Sequence, residues 1–304
     1  MSAVSNVMVW ITCFLCLVSY MIVVSDSVHP ELAGMGISRT MTVMISSLCV
    51  LPLCYLDQRK LSFSSTLSIA VNIYICGLVA FESVTNPWDG TPPCYVGLGG
   101  GSISMFSVLM QAVVIQMCVL PMYQSLEKRS IQRFKGVLVM GFSFLFLLFA
   151  VFQTLALLAF GPQVRSNVLK SLPNSPAGSA ARLGMLLVVM GVYPIVQAPM
   201  VAPIRNSPSG GARKAGLATA FIVVAAAFVA CSITRLGSVN VISGAIQVGG
   251  FVAVTPSLVG MHLLGKRQCP MLALMAFGLF MSVIGLIYTD NYVEELEGRC
   301  LLSG

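Results

Sequence analysis

Side chains able to hold a polar solute inside apolar surroundings gather at a few interrupted stretches of this sequence. Gln111, Gln116 and Cys118 stand just before Pro121. Gly191, Pro194, Gln197, Pro199 and Pro203 crowd the run VVMGVYPIVQAPMVAP. Gly244, Gly249, Gly250 and Pro256 punctuate a third run, and Pro52 a fourth. Proline lacks an N–H, so the carbonyl four residues before it loses its helical donor. Where a helix is interrupted, such backbone groups and a nearby amide or thiol can bind an ion or a small polar molecule. The expected chemistry is therefore reversible binding. A single Pro or Gly more often marks only a kink or a close packing contact. The amides beside these breaks favour binding, because an amide in an apolar layer is costly without a partner. Bond-breaking chemistry has no constellation here: HExxH, GxSxG and paired aspartates within the apolar runs are all lacking. The run Gly99-Gly100-Gly101-Ser102 lacks the Lys-Ser/Thr ending of a phosphate loop. His262 near the end of an apolar run reads as an interfacial residue, and His29 as part of a loop. No enzyme is expected.

The elements that must position these residues follow from composition. Of 304 residues, 57% are hydrophobic and only 9% charged, with a mean hydropathy of +0.91. Soluble domains carry about 25% charged residues, so this chain has too few to coat a wetted surface. Its solvent is lipid, where only helices or closed barrels satisfy their backbone. The apolar runs are helix-length and do not alternate, which predicts an all-α integral membrane protein. Nine spans are expected, near 4–25, 39–56, 64–82, 103–126, 135–160, 180–204, 214–235, 239–264 and 269–289. The stretch from Ser83 to Gly101, rich in Pro and Gly, reads as a loop. The first run lacks a basic leader and is long enough to remain as a span, so no signal peptide is expected. Most of the ten cysteines sit inside apolar runs, and only Cys94 and Cys300 suggest an outer disulfide. No Asn-x-Ser/Thr acceptor occurs, and no cysteine pair has metal spacing, so no metal site is expected.

Charge orients the spans. The gaps after even-numbered spans hold eleven of the seventeen bases, among them Lys128, Arg129, Arg133 and Lys135, but only two acids, Asp57 and Glu127. The other gaps and the C-terminal tail hold the remaining eight acids. Lys and Arg accumulate on the cytoplasmic side, which predicts a cytosolic N-terminus. The net charge of +7 is explained by those loops; no nucleic-acid partner is expected. No Asp, Glu, Lys or Arg is expected at mid-depth in any span, which argues against a voltage sensor, a carboxylate proton relay and a strongly cationic substrate.

Five stretches resemble the amino acid/auxin permease family: SYMIVVSD, with Tyr20 six residues before Asp26; VLPMYQSLEKRSIQRF; AFGPQVRSNVLKSLP; ARLGMLLVVMGVYPIVQAPM, with Arg182 twelve residues before Pro194; and VGGFVAVTPSLVGMHLL. They are similar to that family's third helix, its sixth helix and basic loop, the loop after its seventh helix, its eighth helix and its tenth. The resemblance spans nearly the whole chain and begins at the family's third helix. It implies a truncated leucine-transporter-type inverted-repeat fold in one transmembrane domain, 1–304: 4–82 as a partial first repeat, 103–264 as the second repeat and 269–289 as the last helix. The first two helices would lie outside this sequence, as in an incomplete gene model or a gene fragment.

The resemblance further implies a secondary transporter of amino acids, neutral ones expected, working by alternating access. Its substrate-facing residues would be Gln116 and Cys118 beside the sixth-helix break, Ser19 and Tyr20 from the third helix, and Gly191 and Tyr193 from the eighth. Sodium-coupled relatives place hydroxyl ligands just before the eighth-helix proline, where this chain has Met190 and Val192. Hard cations want oxygen ligands, so proton coupling or facilitated exchange is favoured over sodium symport, and no cofactor is expected. The partners implied are an amino acid and the bilayer of a plasma or lysosome/vacuole-like membrane; oligomeric state is not legible. Two readings compete with this one. The chain could be an amino-acid sensor or degenerate fragment that does not transport. With less support it could be a receptor or channel, although nine spans fit a seven-helix receptor poorly.

Overall fold

The computed structural model describes residues 2–32, 36–56, 62–90, 94–98, 100–112, 122–124, 126–205, 211–233, 235–264, 269–287 and 299–303. In chain order the helices are α1 (Ser2–Leu32), α2 (Arg39–Leu53), α3 (Ser62–Thr85), α4 (Gly100–Ala112), α5 (Ile131–Phe160), α6 (Pro176–Arg205), α7 (Gly211–Ser232), α8 (Leu236–Gln247), α9 (Thr255–Leu264) and α10 (Cys269–Ile287). A π-helical segment, Val248–Val254, joins α8 to α9. Among the described residues seven helical stretches are long and apolar enough to cross a membrane; Leu236–His262, through the π segment, counts as one. At 15 residues α2 is shorter than the roughly 20 a span needs. The protein is a multi-pass, all-α integral membrane protein.

Two compact units divide the chain. The first joins Met1–Phe81 with Gln163–Asn240, the second Glu82–Pro162 with Val241–Gly304.

In the first unit α1 packs on α6, α7 and α2. Its buried stripe, Cys13, Leu17, Val18, Met21 and Ile22, recurs at helical spacing. The facing side of α7 is small: Ala215, Ala226, Ala227 and Ala230 are all buried. In lipid no hydrophobic drive separates helix from solvent, so small residues that let backbones approach supply the packing. Ser38 caps α2, its hydroxyl accepting from the Met41 N–H at 3.3 Å.

The second unit is a seam of small residues. A Cβ added to Gly244 would fall on the Ser107 carbonyl oxygen, and one on Gly285 would meet the Ser107 hydroxyl and Ala245. Gly249 lies against Ser282, and Gly278 against Ala253. The α5 helix ends at Gly161, where φ is +57°; a side chain there would strike the ring of Trp88, whose backbone N–H donates to the Leu158 carbonyl at 2.9 Å.

Of four elements set against the sequence expectation, three differ from it and one agrees. First, α1 runs to Leu32 instead of ending near 25, because the carboxylates beyond that point find partners (below). Second, α6 is not interrupted: it stays helical through Pro194, Pro199 and Pro203. Each proline deletes one hydrogen bond, and the turns on either side carry the helix past it. Third, the break expected in the eighth span is present, as the π segment over Gly249 and Gly250. Fourth, the loop from Ser83 to Gly101 contains a strand, β1 (Cys94–Leu98), antiparallel to β2 (Arg299–Ser303). Its register pairs Cys94 with Ser303 and Gly97 with Cys300, so the two cysteines are not opposite one another. The proline that closes the fourth span, with Gln116 and Cys118, lies outside the described residues.

Candidate functional site

The site is built on the contact between α1 and α6. Glu31 meets Arg182 and Cys16 lies within electrostatic reach of Tyr193, so the two helices run antiparallel. Their middles therefore face each other. Tyr193 is completely buried within the first unit's core, with Leu17, Met21 and Met200. Its hydroxyl has no hydrogen-bond partner among the described residues. Tyr20 packs on the same core, one turn of α1 after Cys16. Tyr20, Cys16 and Tyr193 thus form a small neutral polar group in an apolar setting.

Of the other expected residues, Ser19 is buried but turned to a different partner, donating to Asn240 Oδ1 of α8 at 3.1 Å. Gly191 is half-buried on α6, two residues before Tyr193. Gln116 and Cys118 lie outside the described residues. Ser19, Tyr20 and Tyr193 are therefore held in one helix pack, with Tyr20 and Tyr193 on one core and Ser19 aimed elsewhere.

One turn along α6 from Tyr193, Gln197 is buried; its Nε2 donates to the Thr219 carbonyl of α7 at 3.0 Å, while its Oε1 has no partner among the described residues. Pro194 and Pro199 leave the Met190 and Ile195 carbonyls without their usual helical donors. This stretch of α6 is thus helical in shape and rich in acceptors. Between Ser2 and Ser25 of α1, and between Leu183 and Ile204 of α6, no charged residue occurs. Among the described residues no group of three His, Cys, Asp or Glu side chains could hold a metal ion.

Charge is confined to one end of the contact. Asp26, buried near the end of α1, takes a 2.8 Å ion pair from Lys170 and a 3.4 Å hydrogen bond from Asn167 Nδ2. Arg182, buried near the start of α6, donates Nε to the Leu169 carbonyl at 3.3 Å and Nη2 to the Leu172 carbonyl at 2.9 Å. Its Nη2 also reaches Asn174 Oδ1 at 3.1 Å, and its Nη1 reaches Glu31 Oε1 at 3.3 Å. Glu31 also accepts from the Ser179 hydroxyl at 2.7 Å. Beside these groups is a cavity of about 300 Å³ lined by Val28, Glu31, Arg182, Leu183 and Leu186 among others. In the sequence Asp26 and Arg182 stand as charges of the gaps between spans and as marks of the family resemblance. The overlooked signal was their position just inside apolar helices, where an unpaired charge is expensive and a partner must exist.

A partly buried neutral polar group between two spanning helices, with acceptors freed by prolines, suits reversible binding of a small polar solute. No curated protein matches the chain. Residues 1–289 match the family described as transmembrane amino acid transporter protein, and the chain belongs to that family of membrane transporters, which are not enzymes.

Proposed function

We propose that the protein carries neutral amino acids across its membrane by alternating access, with the substrate passing over the Tyr20–Cys16–Tyr193 face of α1 and α6. The observation that supports this most is the Tyr193 hydroxyl, buried and unpartnered midway along a 30-residue helix. A buried polar group left unsatisfied costs about 1–3 kcal/mol. A site that uses the group in binding accounts for its retention. The freed Met190 and Ile195 carbonyls are natural acceptors for an α-ammonium group. With no charge along this part of either helix, a charged side chain on the substrate would meet no counter-ion, which favours a neutral one. Gly191, two residues before Tyr193 on α6, belongs to the same proposed pathway. The side chains of Met190 and Val192 offer no oxygen to a hard cation, so the coupling proposed is to protons, or exchange without an ion. The charge asymmetry supports a cytosolic N-terminus.

The test is uptake of radiolabelled amino acids by proteoliposomes. The chain would be reconstituted alone, and also joined in frame to the first two helices of an intact family member. Saturable uptake of neutral amino acids, stimulated by an inward proton gradient or by preloaded amino acid and indifferent to sodium, is expected from at least the joined form. Uptake no greater than in empty liposomes from both forms would defeat the proposal.

A further inference from the structure

The mechanism proposed above gives no part to the buried charges at the end of the α1–α6 contact. They are costly groups to keep. Arg182 is 3% exposed and Asp26 4%. An ion buried in an apolar setting persists only when its partners are close and complete. These partners are of one kind. Arg182 spends all three of its nitrogens on acceptors already present: two carbonyls, an amide oxygen and Glu31. It has little left for a ligand. Asp26 is likewise filled by Lys170 and Asn167.

All these bonds but one end on a single short segment. It starts after α5 and ends at α6. Asn167 caps its 3₁₀ turn, Oδ1 accepting from the Leu169 N–H at 3.2 Å, while its Nδ2 goes to Asp26. Ser171 Oγ accepts from the Arg165 N–H at 3.1 Å. Leu169 and Leu172, whose carbonyls receive Arg182, are themselves buried. The segment is therefore a rigid block with two sockets. α1 plugs in through Asp26, and α6 through Arg182. The Glu31–Arg182 contact ties the two helices directly beside it.

Arg182 and Tyr193 lie on one face of α6, eleven residues apart, three turns of helix. Asp26 follows Tyr20 by six residues on α1. Both helices are continuous between those points, so a change of angle at the charged end is transmitted along them to the tyrosines. We propose that Asp26, Lys170 and Arg182 are positioning residues that act through the 167–174 segment to fix how closely the Tyr20–Cys16 face of α1 meets Tyr193 of α6. This rests on the pathway reading above for its consequence in transport, but not for its structural content.

The test needs a readout that does not depend on transport. Cys16 is such a probe, because it is half-buried at the face in question. The full chain in nanodiscs would be treated with a small maleimide, and modification of the Cys16 peptide followed by mass spectrometry. Lys170→Gln and Asp26→Asn are expected to label Cys16 several-fold faster. Lys170→Arg should label like the parent, and the swap Asp26→Lys/Lys170→Asp should return the rate most of the way. Lys170 is partly exposed, so its variants keep the fold even where the Asp26 variant fails to. Unchanged labelling in Lys170→Gln, or a swap that labels like the single variants, overturns the proposal. In uptake assays at equal protein, the loosened variants should show a KM raised several-fold with a smaller change in maximal rate. A parent that transports while Lys170→Gln keeps its KM also counts against the positioning role. Absence of uptake both by the chain alone and by its joined form defeats the pathway reading, and the labelling still decides the clamp.

Discussion

Tyr193 presents a conflict between stability and use. Its ring fills the first unit's core and its hydroxyl is left without a partner there. Removing that oxygen while keeping the ring deletes an unsatisfied group, so Tyr193→Phe should leave stability unchanged or raise it by up to about 1 kcal/mol. If the hydroxyl binds substrate, the same change should raise the apparent KM about tenfold, the equivalent of one hydrogen bond. Thermal unfolding in detergent and uptake kinetics on the same preparation check both halves. A variant that is more stable and equally active would mean the hydroxyl has no part in binding. Tyr20 and Tyr193 were legible in the sequence through the resemblance of their surroundings. Cys16 was not, because its role depends on the register of two helices far apart in the chain. Gln197 was noticed as an amide beside a break, but nothing local shows that its Nε2 is taken by the Thr219 carbonyl. Asp26 and Arg182 were legible as charges and illegible as partners of the 167–174 segment, since their acceptors are mostly backbone carbonyls, which every residue has.

Among the elements, proline and glycine told different stories. Three prolines in α6 predict an interruption, and the helix continues. Two adjacent glycines in the eighth span predict a weak point, and a π segment forms there. A proline fixes φ near its helical value, so it removes a bond without forcing the chain out of helix. Gly249 and Gly250 set no such limit and admit the wider turn. The same lack of a side chain lets α10 come close: Gly249 lies against Ser282, and Gly278 against Ala253. Pattern along one helix cannot show this, because the partner surface decides it. The seam makes a sharp prediction. Gly244→Ala places a methyl on the Ser107 backbone carbonyl, which cannot give way as a side-chain tip can. It should cost about 1–3 kcal/mol and lower the thermal midpoint of the purified protein. Gly136→Ala in α5 meets nothing within 4 Å and should leave the midpoint unchanged or slightly higher. Equal midpoints for the two variants would show that the α4–α8 contact does not depend on the glycine.

For the whole molecule, lipid as solvent was the most legible property. Low charge, helix-length apolar runs and bases gathered in alternate gaps give the class without any contact information, and match to residues 1–289 agrees with it. The strand pair of Cys94–Leu98 with Arg299–Ser303 escaped notice because it joins segments about two hundred residues apart, each too short to carry a signal alone. The substrate pathway has a similar character: its residues come from α1 and α6, which only the packing of the first unit brings together. Cys16 alkylation in the presence of candidate substrates therefore addresses the account where it is most exposed. The account predicts that saturating neutral amino acids slow Cys16 modification several-fold, while amino acids with charged side chains at the same concentration leave the rate unchanged. Transported amino acids that leave Cys16 equally reactive would contradict it.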